Sequence, residues 1–166
     1  TLFLTWLKYG NPWEIRKPQH AVDVNFYGKL DMTYREGRMF FRLSDPVTIR
    51  AVPYDMPMIG AGNGVVNTLR LWSAECSDNV SDRDFIPYIT SVHEICQNVY
   101  PDDSTEHGRL LRIKQEYFFV SAGLQTVLKS HLEAYDTLDN LPDKVVFQLN
   151  DTHPTMIIPE LMRILL

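Results

Sequence analysis

A chain of 166 residues, 45% hydrophobic and 22% charged, has globular composition and enough length for one domain with a core of its own. A net charge of −5 without a long basic run excludes a general binder of nucleic acid or of acidic membranes. Two cysteines, Cys76 and Cys96, without metal-ligand spacing argue against a disulfide scaffold and point to a reducing cytoplasm. No apolar run has membrane-spanning length, and the apolar start Thr1 to Leu7 lacks the basic region and cleavage site of a signal peptide. The chain has no initiator Met and stops at Ile164-Leu165-Leu166, inside a helical pattern, so a piece of something larger is expected.

Gly10-Asn11-Pro12 is a turn signal, with aromatics from Trp6 to Trp13 expected to pin it to a core. Ala21 to Leu30 alternates, with Val22, Val24 and Phe26 on one face and Asp23 and Asn25 on the other, as a half-buried strand does. Arg35-Glu36-Gly37-Arg38 reads as a turn, and Met39 to Leu43 and Val47 to Val52 as two further strands. Pro53 to Gly64 reads as irregular, because prolines and glycines punctuate it. Its glycine cluster has no Lys-Ser/Thr after it and leads into another strand, Val65 to Trp72, so neither the P-loop nor the dinucleotide fingerprint fits. The first third, 1–75, is therefore expected to be antiparallel and β-rich.

After the polar connector Ser77 to Asp84, the spacing of Ile89, Val92 or His93, Cys96 and Val99 predicts a helix over 85–100, stopped by Pro101. The polar loop 100–108 holds three carboxylates and a histidine but not the spacing of a calcium loop. Arg109 to Leu132 carries an apolar stripe through Leu110, Ile113, Tyr117, Val120 and Leu124, with Arg112, Lys114, Gln115 and Glu116 as a polar cluster near its start.

The final segment, 144–166, organises the chain. Val145 to Leu149 predicts a buried strand, Asn150-Asp151-Thr152-His153 a tight turn, and Pro154 the first turn of a helix. Open α/β sheets carry their chemistry just outside strand carboxyl ends, beside helix N-termini. Asp151 and His153 sit there, an acceptor and a group titrating near neutrality. The structural alternative is a capped helix, with Thr152 or His153 at N-cap, Pro154 at N1 and Asp151 favouring the dipole.

Several ordered strings go further than any single motif. Trp6-Leu-Lys-Tyr-Gly-Asn-Pro-Trp-Glu14, Pro53-Tyr-Asp-Met-Pro57, Val66-Asn-Thr-Leu-Arg-Leu-Trp-Ser-Ala74, Leu111-Arg-Ile-Lys-Gln-Glu-Tyr-Phe118, and Gln148-Leu-Asn-Asp-Thr-His-Pro154 with Ile158-Pro-Glu-Leu-Met-Arg163 closely resemble the α-glucan phosphorylases. The resemblance covers essentially Trp6 to Leu166. It implies an α/β fold: part of the N-terminal Rossmann-like domain of a GT-B type two-domain glycosyltransferase. The chain would be a single partial domain, 1–166, cut from the middle of that domain. The implied reaction releases α-glucose 1-phosphate from α-1,4-glucan with orthophosphate. The implied cofactor, pyridoxal phosphate, would be attached to a lysine outside this chain, and none would be bound by the fragment.

The resemblance also implies roles. The stretch from Tyr100 to Gly108 matches the loop that gates the catalytic cleft, with Asp103 beside the glucosyl site. Tyr100, Asp102, Asp103 and Ser104 become substrate-binding candidates, although Asp102 and Ser104 stand where members often have Asn. Arg112 matches a gating arginine that swings toward the vacated site, and Asp151 and His153 match residues lining the sugar sites. No catalytic set is complete in the chain, and no metal site is implied. The helix at 85–100 matches the helix that pairs with its mate in a homodimer. At the glycine turn the chain departs, since many members place an aromatic where Ala61 stands. Two readings compete with an enzyme fragment that is inactive alone: a carbohydrate-binding module without catalysis, and a sugar hydrolase using Asp102, Asp103 or Asp151 as a carboxylate pair.

Overall fold

A computed structural model describes residues 11–77, 85–97 and 101–165. The strands are β1 (Ile15–Arg16), β2 (Val22–Phe26), β3 (Lys29–Arg35), β4 (Arg38–Ser44), β5 (Val47–Ile59) and β6 (Val66–Cys76). The helices are α1 (Phe85–Gln97), α2 (Glu106–Tyr135), the single turn α3 (Leu141–Lys144), and α4 (Ile157–Leu165), which continues directly from a 3-10 turn at His153–Met156. The first part is antiparallel and β-rich, and the fold as a whole is mixed α/β.

Strand β5 is the spine of a four-stranded sheet. β6 runs along one edge of it, from Ile49 opposite Cys76 to Ile59 opposite Val66, while β2 and β1 take the other edge in turn. The expected irregularity at Pro53 to Pro57 is corrected here, because both prolines lie inside β5. The Pro53 carbonyl accepts from Lys17 N–H at 2.8 Å, so residue 53 faces the β1 edge. Pro57, an even number of residues on, faces the same way, and the long ladder to β6 loses no donor. The glycine turn closes this hairpin: Gly60 N–H donates to Val65 O at 2.8 Å, and Asn63 Oδ1 accepts from Val65 N–H at 3.0 Å.

The expected turn at Arg35 to Arg38 joins β3 to β4, with Glu36 and Gly37 both at positive φ, as a two-residue hairpin that matches strand twist requires. At its base a Cβ on Gly28 would stand 2.7 Å from Ser44 O, so only glycine permits that approach. Near the start, Asn11 forms the expected turn by accepting from Trp13 N–H, but Trp13 is exposed, and Trp6 and Tyr9, the other aromatics expected to pin the turn, lie outside the described residues.

Both long helices bury only part of the stripe their spacing predicts, Val92 on the first and Leu124 and Leu128 on the second. Helix α1 buries Tyr88, Val92 and Ile95 against the sheet, while Ile89 is half-buried, the exposed Cys96 only accepts from Ala74 N–H of β6 at 3.1 Å, and Val99 lies outside the described residues. Tyr88 fixes the phase: its hydroxyl donates to Thr48 O and accepts from Ser77 N–H, both at 2.8 Å. Helix α2 buries Leu111, Phe118, Ala122, Leu124 and Leu128, while Leu110 and Ile113 are half exposed. It also begins earlier than expected, at Glu106, because the Thr105 hydroxyl accepts from Gly108 N–H at 3.0 Å and caps it. Phe118 and Ala122 join Val24, Phe26, Ile49 and Ala51 in the main core. Leu124, Leu128 and Leu141 form a second core. Each fully buried side chain of this size contributes about 1.5–3 kcal/mol.

The predicted buried strand at Val145 to Leu149 is not one. The segment is extended at Val145 but pairs with no strand among the described residues. Val145 and Phe147 rest on the second core while Val146 is 92% exposed, so the period of two survives without the ladder that defines a strand. Helix α4 is amphipathic in its packing. Ile157, Leu161 and Ile164 do not stand exposed but pack on Leu124, Leu128 and Leu141, leaving Ile158, Met162 and Leu165 outward.

Candidate functional site

The second core places the His153–Met156 turn against the first half of α2. Between them lies a cavity of about 520 Å³, lined by Pro101, Arg112, Gln115, Glu116, Phe119, Val120, His153 and Pro154. Its walls are apolar at Phe119, Val120 and the prolines and polar at Arg112, Glu116 and His153, the mix that small-molecule sites use for burial and orientation.

Arg112 is the cation of the site. Its guanidinium reaches Asp103 Oδ2 at 3.2 Å and Glu116 Oε1 at 3.4 Å. Arg112 and Asp103 are both more than half exposed, so their attachment is electrostatically weak and exchangeable. Arg109 braces the same loop by donating to Ser104 O at 3.2 Å. Lys114, which the sequence groups with these residues, points elsewhere and lies over the Tyr27 ring at 5.2 Å. Gln115 donates to Ile95 O at 3.1 Å and so ties the cavity wall to α1.

The loop before α2 is wound tightly. Asp102 Oδ1 accepts from Ser104 N–H at 3.0 Å, and Asp102 O accepts from the Thr105 hydroxyl at 2.9 Å. A Cβ on Gly108 would overlap Asp102 O, so the loop closes over the helix start only with glycine there. The Ser104 side chain, then its N–H, holds the Asp102 carboxyl below the usual carboxylate range. Asp102 and Ser104 are thus engaged with each other, while Asp103 projects to Arg112. Tyr100, the remaining loop candidate, lies outside the described residues.

Asp151 takes a left-handed backbone with φ of 74°, a conformation that Asp tolerates better than most residues. Its Oδ1 accepts from Thr152 N–H at 2.7 Å, and its Oδ2 stands 3.8 Å from His153 Nδ1. The Thr152 N–H first, and the His153 ring second, hold its carboxyl below the usual range. Pro154 occupies the first turn as the sequence predicts, but neither Thr152 nor His153 caps it through a side chain.

Of the predicted residues, then, the structure brings Arg112 and His153 into one cavity, sets Asp103 at its rim through Arg112, and sets Asp151 beside His153. Asp102 and Ser104 shape the loop instead of lining the cavity. The apolar walls, Phe119 and Val120, give no signal in the sequence because they sit within a continuous helical pattern. Among the described residues that line the cavity none is a lysine, the side chain to which pyridoxal phosphate would attach. Among the described residues no helix is long and apolar enough to cross a membrane.

Comparison with known proteins identifies the family of the chain. The carbohydrate phosphorylase family matches residues 3–166. Similar relatives include the glycogen phosphorylase of Bacillus subtilis (strain 168), 44% identical over 97% of this chain, and that of Chlamydia pneumoniae, 42% identical over 96%. The muscle form of glycogen phosphorylase from Mus musculus is also 42% identical over 96% of the chain. The chain spans 20% of the length of each of these relatives. With essentially its whole length matched, the chain belongs to the carbohydrate phosphorylase family.

Proposed function

We propose that this chain is the part of an α-1,4-glucan phosphorylase that holds the sugar beside the scissile bond. The parent releases α-glucose 1-phosphate from glycogen or maltodextrin with orthophosphate. The observation that carries this reading is the meeting of Arg112 and His153, from distant parts of the chain, in one cavity beside an acidic loop.

In this reading His153 and Asp151 orient sugar hydroxyls, and Asp103 accepts from another. Hydrogen bonds to charged groups are worth roughly 1.5–3 kcal/mol each, enough to hold a ring in one pose. Arg112 is paired with Asp103 while the loop covers the site. When the loop moves, the guanidinium is released to face the anionic co-substrate. Residues outside this segment would hold pyridoxal phosphate, whose phosphate would supply acid-base chemistry when bound. The parent is a two-domain, GT-B type glycosyltransferase with a Rossmann-like N-terminal domain, works in the cytoplasm, and forms a homodimer through the helix predicted at 85–100. The exposed stripe Ile86, Thr90, His93 and Gln97 on α1 supports that last point, since the opposite stripe is used on the sheet.

The test uses the full-length protein that carries this segment, incubated with maltoheptaose, with and without orthophosphate, with glucose 1-phosphate and free sugar assayed separately. Phosphate-dependent glucose 1-phosphate is expected. Free sugar without phosphate would establish a hydrolase, and binding without product a carbohydrate-binding module. The 166-residue chain alone is expected to release nothing, and glucose 1-phosphate from it would overturn this assignment.

A further inference from the structure

Beside the cavity lies a buried polar cluster that the proposed chemistry does not use. Glu160, in the first turn of α4, is only 4% exposed. Its Oε1 accepts from the Ser121 hydroxyl of α2 at 2.7 Å, and the Arg163 guanidinium donates to both its oxygens at 2.7 and 2.9 Å. Ser121 Oγ in turn accepts from Gln125, whose amide also donates to Asp23 O on β2 at 3.1 Å. The chain of bonds thus runs from α4 through α2 to the sheet.

Burying a carboxylate is costly even when it is paired, and an apolar residue would fill the same space at lower cost. What a carboxylate adds is direction. Ile157, Leu161 and Ile164 seat α4 on α2, but apolar contact is non-directional and tolerates sliding. A hydrogen bond weakens steeply when its geometry departs from the preferred one. The segment before the turn pairs with no described strand and is held on the second core by Val145 and Phe147, apolar contacts that are no more directional. The turn itself is continuous with α4, since Ile157 N–H donates back to Pro154 O and Thr155 O. Where Glu160 sits along α2 therefore decides where His153 sits relative to Arg112.

We infer that Glu160 is a positioning residue: its bond to Ser121 sets the register of α4 on α2 and so aims His153 into the cavity opposite Arg112. The inference rests on the functional reading above. It is tested in the full-length enzyme through kcat/KM for phosphorolysis, below the melting temperature of every variant. Glu160→Ala and Ser121→Ala are each expected to cost about tenfold, and Glu160→Gln, which keeps an acceptor for Ser121, less than about threefold. In a His153→Ala background Glu160→Ala should cost less than about threefold further, because the residue through which it acts is gone. In an Asp103→Ala background it should still cost about tenfold.

Full additivity with His153→Ala would overturn the inference, as would a lowered melting temperature with unchanged kcat/KM. A loss in Glu160→Gln equal to that in Glu160→Ala would do the same. If Glu160→Ala does not fold, Ser121→Ala carries the same cycle with the same outcomes. An unmutated enzyme that makes no glucose 1-phosphate with orthophosphate would overturn the functional reading itself, and the inference with it.

Discussion

Helix α2 carries two ionic clusters, and they are built for opposite purposes. At its start Arg112 spans Asp103 and Glu116 in solvent, with side-chain exposures of 52% for the arginine and 63% for Asp103. Further along, Ser121 meets a Glu160 side chain that is 3% exposed and held by Arg163. Coulomb attraction in water is about 1 kcal/mol at contact distance, so the first cluster is made and broken at thermal cost. The second cannot open without leaving a charge in the interior. One helix thus offers a movable group to the site and a fixed seat for the element that carries His153. Exposure, not the identity of the partners, separates an exchangeable pair from a fixed one, since both are arginine–carboxylate pairs.

This comparison breaks first at its buried end. Glu160→Ala in the 166-residue chain is expected to lower stability by about 2–3 kcal/mol in urea melts, because the Ser121 hydroxyl and Arg163 lose their shared acceptor. A change below about 0.5 kcal/mol would show that the cluster braces nothing. His153→Ala in the full-length enzyme is expected to lower kcat/KM by about tenfold to a hundredfold, or about 1.4–2.8 kcal/mol, without shifting the melt, and an unchanged kcat/KM for maltoheptaose would count against its role.

An intermediate case lies on the sheet. Asp55 and Arg70 face each other across β5 and β6, joined at 2.6 and 2.7 Å, with the Asp55 side chain 16% exposed. The Arg70 hydrogen bond holds the Asp55 carboxyl below its usual value. A depressed folded-state value means that this stability is fully present above the unfolded value of about 3.9 and is lost as pH falls through the lower folded value. Asp55→Asn should therefore cost about 1–2 kcal/mol at neutral pH, and the difference from the unmutated chain should vanish toward strong acid. A difference that persists there would assign the effect to packing. The smallest effect belongs to the exposed end: Asp103→Asn should change stability by less than about 0.5 kcal/mol, and added salt should erase even that.

The strands were legible where alternation and turn chemistry agreed. Val22 to Phe26 and the Glu36-Gly37 turn needed no tertiary information, since each local preference pointed to the same structure. Pro53 and Pro57 misled, because proline's missing donor matters only on the bonded edge, and which edge is bonded depends on where β1 and β6 lie. Phase on the helices was only partly legible for a related reason. Apolar residues occur on more than one face of α1 and α2, and a hydrogen bond from Tyr88 or a second core at Leu124 chose among them. For the site, composition marked Arg112, Asp103, Asp151 and His153 as chemically able, and the ordered strings marked them as related to a known cleft. The resemblance set Asp103 apart from Asp102, but that Asp102 is used up in its own turn while Asp103 reaches Arg112 needed the structure.

What the sequence determined by itself is therefore local: where the chain turns, which stretches are helical, that the first part is β-rich, and, through its ordered strings, which family it resembles. These follow from propensities and spacings that act over a few residues. The tertiary structure decided which face of each helix is buried, that 145–150 has no strand partner among the described residues, and that Arg112 and His153 line one cavity with an apolar wall. Those outcomes depend on residues far apart in the chain competing for the same space. Only packing resolves that competition, because burial of one face excludes burial of another.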